Sequence, residues 1–222
     1  MTQTKGVDAV ERALTILNCF SAERASLSLA ELAESTGLYK STILRLLNSL
    51  QRFEHIDRSE DGRYRLGPTT WRLGTVFRSG FLVEELLRPE LKRLSEESQE
   101  TASFYVRHGE TRVCLYRSEP SRAIRHSIAE GLALPLDASA SAQVLHAFSG
   151  GSTESQAKSQ GYAVSLGQRD PEVAAIAVPI YLPTGEFAGA LTVSGLIHRF
   201  DAKQQKKLLI ALRNSQARLL ET

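Results

Sequence analysis

Apolar residues recur at helical spacing through the first part of the chain. In one stretch they stand three or four residues apart: Val7, Val10, Ala13, Leu14, Leu17 and Phe20. This spacing is typical of an amphipathic helix. A second helix is predicted to begin after Ser28, because Glu31 three residues later completes a capping box. It is predicted to end at Gly37, since glycine readily adopts the backbone conformation that closes a helix.

The third predicted helix has an apolar and a polar side. Its apolar side consists of Leu38, Ile43, Leu46, Leu47 and Leu50. Its polar side consists of Lys40, Ser41, Arg45, Asn48 and Arg52. A basic hairpin is predicted next, because Asp61 and Gly62 form a strong turn sequence between strand-forming residues. Three helices and a hairpin have the layout of a winged helix-turn-helix, although some protein-interaction modules share it.

The periodicity becomes strand-like after two further helices, which are predicted from Pro68 to about Arg78 and from about Val83 to Glu100. Alternating residues then predict strands at 102–107, 111–117, 123–128, 162–166, 173–181 and 186–194. Residues 131–137 are predicted to form a loop, and helices are predicted at 138–148 and 201–220. Consecutive hairpins with flanking helices predict an antiparallel α+β domain.

Composition excludes several classes of protein. The 222 residues are 42% hydrophobic, which is enough for one large domain or two small ones. No apolar run approaches the ~20 residues of a membrane span, and the N-terminus lacks the apolar core of a secretory signal. The two cysteines, Cys19 and Cys114, are far apart. That spacing argues against a disulfide framework and indicates a reducing cytoplasm.

The charge is unevenly distributed along the chain. The formal net charge is only +2, but eight basic residues stand against four acidic ones between Tyr39 and Gly80. Such an excess suits DNA phosphates, although a solvated helix face would give a similar count.

An enzyme is the main alternative from another class. Cys114 with the histidines His108, His126 and His146 suggests at most a thiol–imidazole or zinc site. The chain carries no HExxH, CxxC, GxSxG or phosphate-loop pattern, and these are the motifs that would support catalysis. We therefore expect no enzymatic activity, no cofactor and no metal.

Segments in both halves resemble bacterial transcription regulators of the IclR type. In the N-terminal half the likeness lies in AVERALTILNCF, LSLAELAESTGLYKSTILRLLNSL and DGRYRLG. In the C-terminal half it lies in GLALPLDASASAQVLHAF, GYAVSLGQRDPEVAAIAVPIY and GALTVSG. These motifs follow the order they have in the family and span nearly the whole chain.

The resemblance implies an α+β protein with three parts. These are a winged helix-turn-helix DNA-binding domain in residues 1–67, a linker helix in 68–82 and a GAF-like antiparallel-sheet effector-binding domain in 83–222. Regulators of this type bind double-stranded DNA as dimers or tetramers and respond to small organic acids. We therefore expect double-stranded DNA, a small carboxylate or aromatic-acid effector and further copies of the chain as partners. The alternative is a ligand-independent DNA-binding or protein-interaction module with a degenerate effector domain.

Several positions depart from the pattern of the family. Leu44 stands where a bulky aromatic residue or histidine is usual. Asp137, Ala142 and Gln143 stand where histidine, glycine and lysine are usual. The segment 148–161 is also much shorter than in the family, and a helical region is missing there. The operator, the effector and the direction of regulation stay open.

The DNA-binding candidates are Ser28, Tyr39, Lys40, Ser41, Thr42, Arg45, Arg58 and Arg63. The first turn of the third helix should enter the major groove. Arg45 suits a bidentate contact to guanine, or a contact to phosphate. For Ser28, capping of its own helix is the alternative. Arg65 in the wing is equally able to pair with Asp57. Trp71 and Phe77 mark a candidate dimer surface, with packing inside the domain as the alternative.

The effector-binding candidates are Leu132, Ala133, Asp137, Ser139, Ser141, Ile176, Thr192 and Ser194. A helix beginning near Ala138 offers free amides to an anion, and the two serines could add hydroxyl donors. Thr192 and Ser194 face the same way because they are two residues apart on a strand, and the resemblance places them on the pocket side. The wall candidates are Leu132, Ala133 and Ile176, with Tyr105 and Leu115, although ordinary core is the more frequent role of such residues. Asp137 either caps the helix or faces the pocket, where it would disfavour a carboxylate.

Overall fold

The computed structural model describes residues 6–79, 84–150 and 155–220. The chain divides near residue 80 into two compact units, which are described separately below. The end of the predicted linker, residues 80–82, and the predicted start of the next helix at Val83 lie outside the described residues.

The N-terminal unit consists of four helices and a small sheet. Its elements are α1 (Asp8–Leu17), β1 (Ser26–Leu27), α2 (Leu29–Thr36), α3 (Lys40–Arg52), β2 (Ile56–Arg58), β3 (Tyr64–Leu66) and α4 (Pro68–Ser79). The sheet is antiparallel, with the strand order β1-β3-β2. The predicted sequence of three helices, a hairpin and a further helix is confirmed, and β1 is an additional strand.

Local chemistry sets the limits of α2 as the sequence predicted. The Glu31 amide donates to Ser28 Oγ at 3.2 Å, and the Ser28 amide donates to Glu31 Oε2 at 2.7 Å. This reciprocal pair is the capping box, which satisfies two amides that the helix itself leaves free. Gly37 closes the helix with a φ of 68°, which lies in the left-handed region.

The core of the N-terminal unit corrects one part of the predicted pattern. It contains Ile16, Leu27, Leu32, Ile43, Leu47, Ile56 and Tyr64. On α1, however, Val7, Val10 and Leu14 are exposed and Ile16 is buried. Two residues correspond to a rotation of about 200° around a helix, so Leu14 and Ile16 lie on opposite sides. The apolar residues of α1 are therefore divided between two faces rather than gathered on one.

The C-terminal unit is a curled antiparallel sheet with helices on both faces. Its elements are α5 (Glu84–Ser98), β4 (Thr101–His108), β5 (Thr111–Ser118), β6 (Ala133–Pro135), α6 (Ala140–Phe148), α7 (Gln156–Gln160), β7 (Ala163–Leu166), β8 (Val173–Tyr181), β9 (Phe187–Leu196), a 3-10 turn (Ile197–Arg199) and α8 (Ala202–Leu220). The strand order is β6-β5-β4-β9-β8-β7. This α+β architecture confirms the expected fold class.

The predicted strand at 123–128 is wrong, and β6 pairs with β5 instead, within the predicted loop 131–137. Side chains donate hydrogen bonds to carbonyl groups of the 123–128 segment. Thr101 Oγ1 donates to the His126 carbonyl at 2.8 Å, and Arg117 donates to the carbonyls of His126 and Ile128. The segment therefore needs no strand partner for these groups.

Side-chain size differs between the two faces of the sheet. The face covered by α5 and α8 carries large residues, including Phe104, Ile176, Leu191 and Val193. The opposite face, covered by α6, carries four alanines: Ala163, Ala175, Ala177 and Ala190. Because successive strand residues point to opposite faces, Ile176 lies on one face of the sheet and its neighbours Ala175 and Ala177 lie on the other. The small residues leave space between the sheet and α6.

No helix in the part of the chain that the structure describes is both long and apolar enough to cross a membrane.

Candidate functional sites

The start of α3 forms an exposed cationic surface on the N-terminal unit. Tyr39 is 85% exposed, Lys40, Ser41 and Arg45 are exposed, and Thr42 is half-buried. Within the described residues, neither Lys40 nor Arg45 forms an ion pair with a carboxylate. Both charges are therefore free to meet an outside partner.

The N-terminus of α3 has no side-chain cap. The N-cap residue Tyr39 makes no side-chain capping hydrogen bond, and the first turn of α3 contains no acidic residue. Amides in the first turn of a helix lack partners within the helix, and its dipole makes this end positive. The start of α3 therefore combines backbone donors with the cationic side chain of Lys40.

Two of the predicted DNA-binding residues are engaged within the protein. Ser28 caps α2, as the alternative reading of this residue proposed. The Arg63 guanidinium lies 2.9 Å from Glu31 Oε2 and donates to the Ser26 carbonyl at 2.8 Å. Hydrogen bonds from Ser28, together with the nearby charge of Arg63, lower the pKa of Glu31 to about 2. Arg63 thereby ties the wing to the start of α2.

The remaining wing arginines stay at the surface. The Arg58 guanidinium lies over the Tyr64 ring, 5.5 Å from its centroid, and the residue is exposed. Arg65 pairs with Asp57 at 3.8 Å, which was one of the two alternatives for this side chain. Arg58 is thus the predicted wing contact with no carboxylate partner among the described residues.

The C-terminal unit contains a polar cavity between the sheet and α6. It encloses about 390 Å³, including its open mouth. The cavity is lined by Tyr105, Arg112, His126, Ile128, Ser139, Ser141, Ser165, Arg169, Asp170, Val173, Ala175, Thr192 and Ser194. Its walls come from β4, β5, β7, β8, β9, the start of α6 and the irregular segments that carry His126 and Arg169. Ala175 contributes a small side chain from the sheet.

Arg112 is the central charged group of the cavity. The residue is only 1% exposed, and its guanidinium lies over the Tyr105 ring at 5.0 Å. Nε donates to the Pro135 carbonyl at 3.3 Å, and one terminal nitrogen lies 3.6 Å from Asp137 Oδ2. That nitrogen has no hydrogen-bond partner, and neither do the buried hydroxyls of Ser139 and Thr192. The cavity therefore presents three buried donor groups whose hydrogen-bonding capacity is unused.

Burial and nearby cations set the charge of two side chains at the cavity. Burial, reinforced by Arg169 and Arg117, lowers the pKa of His126 to about 4, so the ring is neutral at neutral pH. Its Nδ1 lies 3.1 Å from Ser194 Oγ. For Asp137, burial favours the neutral acid, but the nearby Ser139 hydroxyl, the hydrogen bond from the Ser139 amide and the charge of Arg112 prevail and lower the pKa. Asp137 is therefore ionised, and its Oδ1 accepts from the Ser139 amide at 2.9 Å.

The cavity brings together half of the predicted effector-binding residues. Ser139, Ser141, Thr192 and Ser194 line it. Asp137 lies beside it and accepts the amide of Ser139, the N-cap residue of α6. It therefore does not cap the helix itself, which was one of its two predicted roles. Ile176 lies on the opposite face of the sheet in the α5–α8 core, so it does not line this cavity. Leu132 and Ala133 are exposed near β6 and also lie outside the lining.

The other two wall candidates divide in the same way. Tyr105 lines the cavity, whereas Leu115 belongs to the α5–α8 core.

Sequence reasoning missed Arg112, His126, Ser165, Arg169 and Asp170. For Arg112 a clue was present: it stands two residues before Cys114 on an alternating strand, so it had to point to the same inward side. A charged residue in such a position is costly unless it is functional or paired. His126, Arg169 and Asp170 lie in irregular segments, where no periodicity indicates direction.

The residues imagined for catalysis do not assemble into a site. In the described residues no group of three or more histidine, cysteine or acidic side chains could hold a metal ion. Cys114 is buried, and burial raises the pKa of its thiol to about 11. Since the thiolate is the reactive form, this thiol is inert at neutral pH.

An exposed helix-turn-helix joined to a separate domain with an internal polar cavity defines a transcription regulator with an effector domain. The chain belongs to the IclR family. Residues 9–56 match the IclR helix-turn-helix domain. Residues 79–157 and 152–219 match the bacterial transcriptional regulator IclR C-terminal domain. The resemblance inferred from sequence motifs is therefore confirmed.

Two relatives are HTH-type transcriptional regulators. XynR of Escherichia coli is 27% identical over 223 residues, which cover 88% of each protein. Rv1719 of Mycobacterium tuberculosis is 32% identical over 145 residues, which cover 65% of this chain and 55% of that protein. The chain is accordingly a DNA-binding transcription regulator and not an enzyme.

Solved structures share the fold over nearly the whole chain. An IclR transcriptional regulator from Silicibacter is 27% identical with a TM-score of 0.71, covering 96% of this chain and 95% of that one. An IclR homologue from Microbacterium hydrocarbonoxydans, crystallised with 4-hydroxybenzoate, is 19% identical with a TM-score of 0.74. Its alignment covers 97% of this chain and 100% of that one.

Proposed function

We propose that the protein is a cytoplasmic, homo-oligomeric regulator whose C-terminal domain binds a small organic carboxylate. Occupation of the cavity would then alter operator binding through α3. The family membership supplies the DNA-binding function, and the proposal adds the effector class, the contacts and the assembly.

One observation carries the effector class: the cavity holds unused buried donors around a guanidinium. Native proteins leave few buried polar groups without a partner, so Arg112, Ser139 and Thr192 call for an acceptor. A carboxylate matches the planar fork of a guanidinium and accepts several hydrogen bonds at once. The start of α6 at the same wall adds a favourable dipole.

The apolar part of the cavity suits the remainder of such a molecule. Tyr105, Ile128, Val173 and Ala175 provide the nonpolar lining. Ligand pockets typically combine apolar walls with a few convergent polar groups. The structural neighbour that contains 4-hydroxybenzoate makes this acid a suitable first probe.

For DNA, we assign the contacts to the start of α3 and to Arg58. Tyr39, Lys40, Ser41, Thr42 and Arg45 would reach bases or phosphates in the major groove, and Arg58 would follow the backbone from the wing. Because Ser28 caps α2 and Arg63 holds the wing against it, we assign both a positioning role rather than a DNA contact.

The effector class is tested by thermal unfolding of the full chain with matched ligands. 4-Hydroxybenzoate, benzoate and propionate are each compared with the corresponding primary amide, which has a similar shape but no charge. At about 100 times its dissociation constant, a bound acid stabilises the protein by about 2.7 kcal/mol, whereas the amide gives little stabilisation.

The variant Arg112→Met and a DNA-binding assay complete this test. Arg112→Met keeps the side-chain length and should lose the response to the acid. In a gel shift with DNA from upstream of the protein's own gene, the acid should change the affinity. If no acid stabilises the protein and DNA still binds, the effector domain is degenerate and the regulator is ligand-independent.

A further inference from the structure

We propose that Asp137 is an internal counter-ion for Arg112, which neutralises the guanidinium while the cavity is empty and which an incoming carboxylate displaces. This inference rests on the proposed effector function. It assigns Asp137 a role in specificity and regulation, although Asp137 does not line the cavity.

The geometry of the pair shows a neutralised but incompletely bonded arginine. The nearest oxygen of Asp137 lies 3.6 Å from a terminal nitrogen of Arg112, which is beyond hydrogen-bonding distance. The Arg112 side chain is 2% exposed and that of Asp137 is 26% exposed. A charge buried to this degree requires compensation, and Asp137 supplies it without using the donor of that nitrogen.

The second oxygen of Asp137 lowers the free-energy cost of displacing Asp137 from Arg112. Oδ1 accepts the Ser139 amide at 2.9 Å, and this contact does not involve Arg112. Asp137 can therefore lose its partner and remain hydrogen-bonded and partly solvated. Arg112, in contrast, gains two carboxylate oxygens where it now has one distant charge. The exchange thus replaces a weak contact with a strong one.

The charges around the cavity favour a ligand with a single negative charge. Arg112 and Arg169 are the cationic lining residues, Asp170 is the acidic one, and His126 is neutral at neutral pH. With Asp137 counted, the two positive charges are balanced by two negative charges. When Asp137 no longer faces Arg112, one negative charge on the ligand neutralises the guanidinium in its place.

The displaced residue is connected to the start of α6. Asp137 follows β6 closely and is bonded to Ser139, the N-cap residue of α6. Release of Arg112 therefore removes the charge attraction between Asp137 and β5, while the hydrogen bond from Arg112 Nε to the Pro135 carbonyl can remain. Binding of a charged ligand would thus alter the contacts of Asp137 at the start of α6.

The variant Asp137→Asn separates charge from capping. Asparagine keeps an oxygen that can accept the Ser139 amide but has no charge. By calorimetric titration of the full chain, we expect 4-hydroxybenzoate to bind the variant on the order of tenfold more tightly, since no internal carboxylate competes for Arg112. Binding of 4-hydroxybenzamide should not change. Without ligand, the variant should melt at a lower temperature, and adding Arg112→Met should remove that deficit.

Asp170→Asn serves as the matched control, because it removes another negative charge at the cavity without touching the pair. A gain in affinity equal to that of Asp137→Asn would show a general field effect and overturn the inference. Equal or weaker binding of the acid by Asp137→Asn would also overturn it while leaving the proposed function intact. If neither the wild type nor Asp137→Asn binds the acid, both the inference and the proposed function fail.

Discussion

His126 illustrates how burial decides the charge of a side chain. Its ring lies at a cavity that also contains Arg112 and Arg169, and desolvation and positive charge both oppose protonation. An imidazole in water would titrate near physiological pH, but this one stays neutral far below it. His126 therefore adds no positive charge to the cavity at neutral pH.

The lowered pKa of His126 predicts a loss of stability in acid. Between about pH 6.5 and 4 the unfolded chain binds a proton at this residue that the folded chain does not. The free energy of unfolding should therefore fall as the pH is lowered through this window. The full loss is about 3 kcal/mol, since each pKa unit corresponds to about 1.36 kcal/mol.

Urea unfolding at pH 7 and at pH 4.5 measures this loss. His126→Asn can keep a nitrogen near Ser194 but cannot titrate, so its stability should change less between the two values. An unchanged pH dependence in His126→Asn would assign the effect to other groups.

Individual residues were predictable where they shared a face with a recognisable pattern. Thr192 and Ser194 share a face of β9 because they are two residues apart, and the family resemblance, rather than the pattern, implied that this face is the pocket side. The serines at the start of α6 were candidates because they stand at a helix terminus. Ile176 was misplaced because a run of apolar residues on β8 gives no indication of which face is the cavity. His126 and Arg169 could not be found, because irregular segments have no period.

The two helices of the helix-turn-helix begin in different ways. At α2 a capping box satisfies the amides and also holds Arg63 of the wing. At α3 no side chain caps the start, and the exposed residues there are cationic or polar. The boundaries of α2 were predictable from Ser28, Glu31 and Gly37, whereas the tie between Arg63 and Glu31 joins residues 32 positions apart and was not.

Arg45→Ala tests the role of α3 without altering its fold. Because Arg45 is exposed and has no carboxylate partner among the described residues, we expect unchanged stability. Operator affinity should fall by about 1–3 kcal/mol if the contact reads a base. Fluorescence anisotropy with operator and random duplexes distinguishes a base contact, which lowers specificity, from a phosphate contact, which weakens both equally.

Arg52→Ala is the control, since Arg52 is an exposed cation in the last turn of the same helix. Equal losses for Arg52→Ala and Arg45→Ala would contradict the assignment of the DNA surface to the helix start.

Taken as a whole, the N-terminal unit leaves much apolar surface uncovered. On α4, Trp71 is 74% exposed, and Leu73 and Val76 are also exposed. On α1, Val7, Val10 and Leu14 are exposed as well. Contiguous apolar patches on soluble proteins commonly mark interaction sites. The sequence predicted the apolar spacing of α1 but could not show that half of it would remain outside the core.

Trp71→Glu should weaken self-association of the full chain. We propose that α4 contributes to the contact between subunits, and a carboxylate there would have to be desolvated in the interface. Sedimentation velocity should show a lower mass for Trp71→Glu, while Trp71→Phe should retain the wild-type mass. Operator affinity should fall in parallel, because a dimer reads two half-sites. An unchanged mass for Trp71→Glu would exclude α4 from the interface.

The bare start of α3 has a consequence for the energetics of recognition. At α2 a capping box supplies acceptors for the first amides. At α3 the Thr42 amide donates to the Tyr39 carbonyl, but no side chain caps the start. A phosphate of the operator would accept hydrogen bonds from the first amides of α3 and thereby cap the helix. DNA binding would then supply hydrogen-bond acceptors that a helix usually obtains during folding.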